Sequence, residues 1–139
     1  MCLYRLSLPS SIDHCGLLRN CVRAFGISEG FGAEFLSVLE LCIHEAFVNA
    51  AMHGNGGDTA LPVCVTMRTM PESGLAPLQV EVADCGPGFE LASKGVADAA
   101  DCESGLSGRG VAIILHYAES ARLEPLSGGS VLRLTYIPF

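Results

Sequence analysis

Apolar and polar positions along this chain repeat with two different periods, and the switches between them lay out its elements. Residues 35–52 are almost continuously apolar and are followed by Gly54 and Gly56-Gly57, which predicts a buried helix with a glycine stop. At about 100° per residue, Leu36, Leu39, Ile43, Ala46, Phe47 and Ala50 fall in one core-facing sector. Before it, residues 1–8 alternate weakly, as an opening strand ended by Pro9. Ser10 or Ser11 then caps a first helix. Its apolar face would be Ile12, Leu17, Leu18, Cys21, Val22 and Phe25, with Arg19 and Arg23 outward and Gly26 near its end.

After a Gly/Asp turn at 54–58, residues 62–67 read as a strand, 71–77 as a turn and 78–83 as a second, cleanly alternating strand. Residues 90–107 are small, acidic and aperiodic, and read as a mobile segment with at most a short helix. Residues 108–117 read as a helix, and 121–124 with 131–137 as a closing hairpin around 126–130. The order is strand, helix, helix, two strands, helix, two strands. It predicts one domain, 1–139: an α/β (α+β) two-layer sandwich whose mixed, mostly antiparallel sheet carries its helices on one face.

Composition narrows the class. A chain of 139 residues, 50% apolar, can bury one real core and not two. The net charge is −7 and the basic residues are scattered, so the sequence shows no footprint for direct nucleic-acid binding. Polar residues interrupt every apolar run short of a membrane span, and the N-terminus lacks a signal-peptide pattern. Seven cysteines, odd in number and without a Cys-x-x-Cys pair, point to reduced thiols in a cytoplasmic protein, most of them small core residues.

Three motifs carry candidate chemistry. Glu45, Asn49 and His53 lie at i, i+4 and i+8, a polar stripe on an otherwise apolar helix. A tertiary hydrogen-bond pair would explain such a stripe, and so would a base beside a metal ligand. Asp84-Cys85-Gly86-Pro87-Gly88 follows the second hairpin strand: an acid at a strand end, then two glycines that let backbone close on a flat ligand. Alone, such a sequence is an ordinary turn. Gly105-Leu106-Ser107-Gly108-Arg109-Gly110 opens the last helix, where free amides and the positive dipole end suit an anion. The alternative there is a flexible loop before a helix. P-loop, dinucleotide and zincin patterns are missing; Val48 stands where a zincin needs its second histidine.

In this order the three motifs resemble the GHKL (Bergerat-fold) ATP-binding superfamily. The run Glu-Ala-x-x-Asn-Ala-x-x-His-Gly at 45–54, together with the chain length, resembles more narrowly the bacterial anti-sigma-factor serine/threonine kinases. The resemblance implies ATP and Mg²⁺ as cofactors, Asn49 as the metal ligand and Glu45 as the general base. It implies that Asp84 accepts from the adenine amine, that Gly86 and Gly88 shape that pocket, and that Gly105, Gly108, Arg109 and Gly110 cover the phosphates beneath a lid at about 89–107. Ser130, in a Gly-Gly-Ser turn, would lie near the nucleotide. Lys94 is the one cation of that lid, and His53 is expected to cap the helix rather than act in chemistry.

The implied partners are an anti-sigma-factor antagonist as phosphoacceptor, a sigma factor, and a second copy of the chain as a homodimer. A stand-alone ATPase or nucleotide-gated clamp, a histidine-kinase catalytic domain and a binding-only switch are the competing readings. The clamps append a transducer domain that is not expected after Phe139. Histidine kinases typically place Asn where Glu45 stands.

Overall fold

The computed structural model describes residues 2–70, 76–86 and 106–139, the first three residues of the last stretch by backbone alone. Strand β1 (Cys2–Pro9) leads through a 3-10 turn (Ile12–His14) into helix α1 (Cys15–Ser28). Helix α2 (Ala33–Val48) runs on into a π turn (Asn49–Gly54). Strands β2 (Pro62–Thr69) and β3 (Leu78–Asp84), helix α3 (Leu106–Tyr117) and strands β4 (Ser120–Leu126) and β5 (Gly129–Tyr136) complete the chain. The five strands are ordered β1-β2-β3-β5-β4. Each neighbouring pair is antiparallel, so the parallel component allowed by a mixed sheet is not found among the described strands.

Register explains the two layers. Side chains alternate across a strand, and the pairs Leu6↔Val65, Val65↔Val82 and Val82↔Leu132 run one apolar row across the sheet. Helices α1, α2 and α3 cover that face, with α2 between the other two. The whole expected sector of α2, from Leu36 to Ala50, is buried, and Leu39, Ile43 and Phe47 are inaccessible. With its π turn, Ala33–Gly54 makes 22 residues, long and apolar enough to cross a membrane by composition. Polar positions Ser37, Glu40, His44, Glu45 and Asn49 nevertheless interrupt it, as expected from the sequence, and its apolar face is spent on the sheet.

Other details also differ. Leu18, Val22 and Phe25 of α1 are buried as expected, but Ile12 and Leu17 are exposed. Ile12 lies in the 3-10 turn, where the 3.6-residue phase does not apply. Leu17 sits about 100° from Leu18, and only one of the two can face the sheet. Of the described cysteines Cys42 alone is buried; Cys2 and Cys85 are exposed, the rest half-buried, and all are free thiols. Scattered arginines gather on the uncovered sheet face: Arg5, Arg68, Arg122 and Arg133 share it with Glu81 and Glu124. Arg133 bridges to Glu124 and reaches Glu81 at 3.6 Å, so much of that basic charge is neutralised locally.

Candidate active site

The site lies where the C-terminal end of α2 meets the end of β3 and the start of α3. At Asn49 the helix widens: the Asn55 amide donates to the Ala50 carbonyl at 2.8 Å, a π spacing, and Gly57 donates to Ala51 at 2.8 Å. Gly56 and Gly57 then turn the chain through positive φ (63° and 73°), which is why glycines stand there. Such π turns recur at functional sites because they displace side chains from the regular helical row. Asn49 is thereby buried, 3% exposed, while Glu45 one turn earlier is half-buried. His53 is exposed and lies inside the π turn, and the C-cap position is held by Asn55 rather than by His53 as expected.

The carboxamide nitrogen of Asn49 is buried without a hydrogen bond among the described residues. Leaving such a group unpaired costs about 1–3 kcal/mol, which a polar ligand at this point would recover. Gly110, in the first turns of α3, packs against Glu45 and Asn49 together. Glu45 also lines two clefts of about 320 Å³ each between α1 and α2, one bounded by Ile12, Cys15 and Val48 and the other by Arg19 and Glu40. The carboxylate therefore stands between the start of α3 and open space. Cys15 in the first cleft has its thiol pKa pushed up, first by burial, with Arg19 opposing and Glu45 adding to the rise.

The second half of the site is the turn after β3. Asp84 is half-buried and its Oδ1 accepts from the Gly86 amide at 2.7 Å and from the Ser130 hydroxyl at 3.0 Å. Its other oxygen, Oδ2, lies beside Gly54, where any β-carbon would collide with the carboxylate. Gly86 in turn has no room for a side chain, since one would meet the Gly54 carbonyl. Glycines at 54 and 86 let the α2 terminus and the β3 turn approach backbone to backbone. Ser130 is 1% exposed and its position follows from the register Asp84↔Ser130.

The structure thus brings Glu45, Asn49 and Gly110 into one group, and Asp84, Gly86 and Ser130 into a second joined to it through Gly54. Arg109 is exposed at the start of α3. Gly108 is helical rather than the first residue of the helix, because α3 begins at Leu106, inside the segment expected to be lid. Gly88, Gly105, Lys94 and the rest of the expected lid up to 105 lie outside the described residues. The sequence reading missed Asn55. It is 6% exposed and bonded to Ser10, Pro62 and Cys85, partners that only the fold brings near.

A family model described as "Histidine kinase-like ATPase domain" matches residues 8–136. No curated protein matches the chain. Among solved structures it resembles the RsbU and RsbW domains of Rv1364c from Mycobacterium tuberculosis, with TM-score 0.65 and 18% identity over 99% of this chain. It spans 32% of that chain. A histidine kinase domain from the Erythrobacter litoralis EL346 blue-light activated histidine kinase aligns with TM-score 0.49 and 20% identity, covering 94% of this chain and 61% of that one.

Proposed function

The chain belongs to the histidine kinase-like ATPase domain family, and from that premise we propose that it is a Mg-ATP-dependent serine/threonine protein kinase. Its phosphoacceptor would be an anti-sigma-factor antagonist, and the same domain, as a cytoplasmic homodimer, would bind a sigma factor. One observation carries the kinase reading: a half-buried carboxylate, Glu45, stands one helical turn from a buried, unpaired carboxamide, Asn49, with both against the start of α3. The motif order and the Glu-Ala-x-x-Asn-Ala-x-x-His-Gly run support the narrower assignment.

The residues fit the implied metal. Amide oxygen and nitrogen exchange by a simple flip of the side chain, so Asn49 can offer its oxygen to Mg²⁺ and leave the rest of the shell to phosphates and water. Bound there, Mg²⁺ would neutralise charge on the phosphates. The protein's own part is positioning and proton transfer. Glu45 takes the proton of an acceptor serine or threonine hydroxyl as that oxygen bonds to the γ-phosphorus. The bond from the γ-phosphorus to its bridging oxygen breaks, and ADP leaves with the electron pair. Asp84, its Oδ1 already held by Gly86 and Ser130, accepts from the adenine amine through its other oxygen. The start of α3, with Arg109, faces the phosphates with free amides and positive charge.

The test is incubation with labelled ATP and candidate antagonist proteins encoded nearby. Phosphoserine or phosphothreonine on one of them is the expected result. Hydrolysis of ATP with no acceptor labelled would favour the stand-alone ATPase instead.

A further inference from the structure

Asn55 is the most heavily used polar side chain in the described part of the molecule, and it touches none of the groups assigned to chemistry. Its Nδ2 donates to the Ser10 hydroxyl at 2.9 Å and to the Pro62 carbonyl at 3.1 Å. Its Oδ1 accepts from the Cys85 amide at 2.7 Å. These partners settle which way the amide points, because a carbonyl can only accept and a backbone amide can only donate. Ser10 donates its own proton to the Leu61 carbonyl at 2.6 Å, which leaves its oxygen free to accept from Asn55. Both hydrogens and the oxygen are thus committed in a site 6% exposed to solvent.

The two ends of this carboxamide serve different bodies. The nitrogen end is fixed to scaffold: the link from β1 into α1 and the start of β2. The oxygen end holds one amide of the turn that carries Asp84. The next amide, Gly86, is held by Asp84 itself. We infer that Asn55 is a positioning residue for base recognition, anchoring the Cys85 amide so that Asp84 presents its free oxygen to adenine at a fixed angle. The inference rests on the reading of Asp84 as the adenine acceptor. Without the anchor the turn keeps its hydrogen bonds within itself and to Ser130 and its packing against Gly54 and Gly129, but loses the side-chain bond that ties the Cys85 amide to the scaffold, and the carboxylate can shift with it.

The test separates the base from the phosphates. Binding of ATP, GTP and Mg-tripolyphosphate is measured for the wild type, Asn55→Ala and Ser10→Ala, with thermal unfolding recorded for each. Asn55→Ala is expected to lower the preference for ATP over GTP about tenfold, the value of one positioned hydrogen bond, while tripolyphosphate binds as before. Ser10→Ala, which removes one scaffold anchor and leaves the Cys85 contact, should shift the same ratio less. Equal loss of nucleotide and tripolyphosphate would mean that Asn55 only holds the fold together and would overturn the inference. An unchanged ratio in both variants would overturn it as well. If Asn55→Ala does not fold, Ser10→Ala alone decides. A wild type with no preference for ATP would instead sink the adenine reading of Asp84.

Discussion

A methyl group built on Gly110 would stand 2.6 Å from Oε2 of Glu45, 3.3 Å from its Cβ and 3.4 Å from Nδ2 of Asn49. The first distance is impossible, but the atom met is the far end of a flexible side chain. The other two are tight without being prohibitive. Gly110→Ala should therefore fold, and alanine's better helix propensity, about 1 kcal/mol over glycine, offsets part of the crowding. The displaced carboxylate is the casualty. We expect a melting temperature near wild type and phosphoryl transfer lowered about tenfold or more, since misplacement of a catalytic group by an ångström is costly. Wild-type turnover in this variant would show that the Glu45 carboxylate does not need its place beside α3.

Glu45→Gln removes the base and keeps the shape. Binding of Mg-ATP should stay within a few fold, and transfer should fall by about 10² or more, the usual worth of a general base. Nucleotide titration beside single-turnover transfer reads the two separately. Parallel loss of both would make Glu45 a structural residue.

Much of this site was legible in the sequence because its parts are local. The α2 sector was readable at 100° per residue, and Glu45 and Asn49 share a stripe because four residues make about one turn. Asp84 and Gly86 stand two apart in one turn of chain. Asn55 was not legible: its partners lie 45, 7 and 30 residues away, and nothing in its neighbours announces three bonds. The arginine face was hidden for the same reason. Arg5, Arg68, Arg122 and Arg133 meet only through antiparallel register, a property of strand pairing rather than of any one segment. The cysteines misled because a residue type that favours interiors was read as interior without its strand or helix face; Cys64, for example, sits on the uncovered sheet face opposite Ala83.

Tyr136 gives a prediction about stability. It is 1% exposed, its hydroxyl has no hydrogen-bond partner among the described residues, and the Cys42 thiol is its polar neighbour. Burial pushes both the phenol and the Cys42 thiol up in pKa. Folded, both hold their protons to higher pH than they do unfolded, where the thiol ionises from about pH 8.5 and the phenol from about pH 10. The unfolded chain then binds fewer protons than the native one, so stability is full below those values and falls as pH rises through them. Tyr136→Phe should melt no lower than wild type near neutrality and should lose less stability above about pH 10. A loss of more than about 1 kcal/mol at neutral pH would mean that the hydroxyl is well bonded after all.

Asn49 offers the cleanest separation of metal from fold. Its side chain is buried at the π turn, but its carboxamide nitrogen holds nothing in place among the described residues, so the fold draws little from it. Asn49→Ala removes that unpaired amide along with some packing, and the two effects on stability oppose each other. Melting should change by no more than the equivalent of about 1–2 kcal/mol. Nucleotide affinity should behave quite differently. If the carboxamide oxygen holds Mg²⁺ against the phosphates, the variant binds ATP more weakly in Mg²⁺, by about tenfold or more, and equals wild type in EDTA. Titrations of both proteins under both conditions give four affinities, and the difference of their differences isolates the metal. A loss of the same size with and without Mg²⁺ would take Asn49 out of the metal site and leave it as a direct contact to nucleotide. No loss in either would leave its buried nitrogen without a functional explanation.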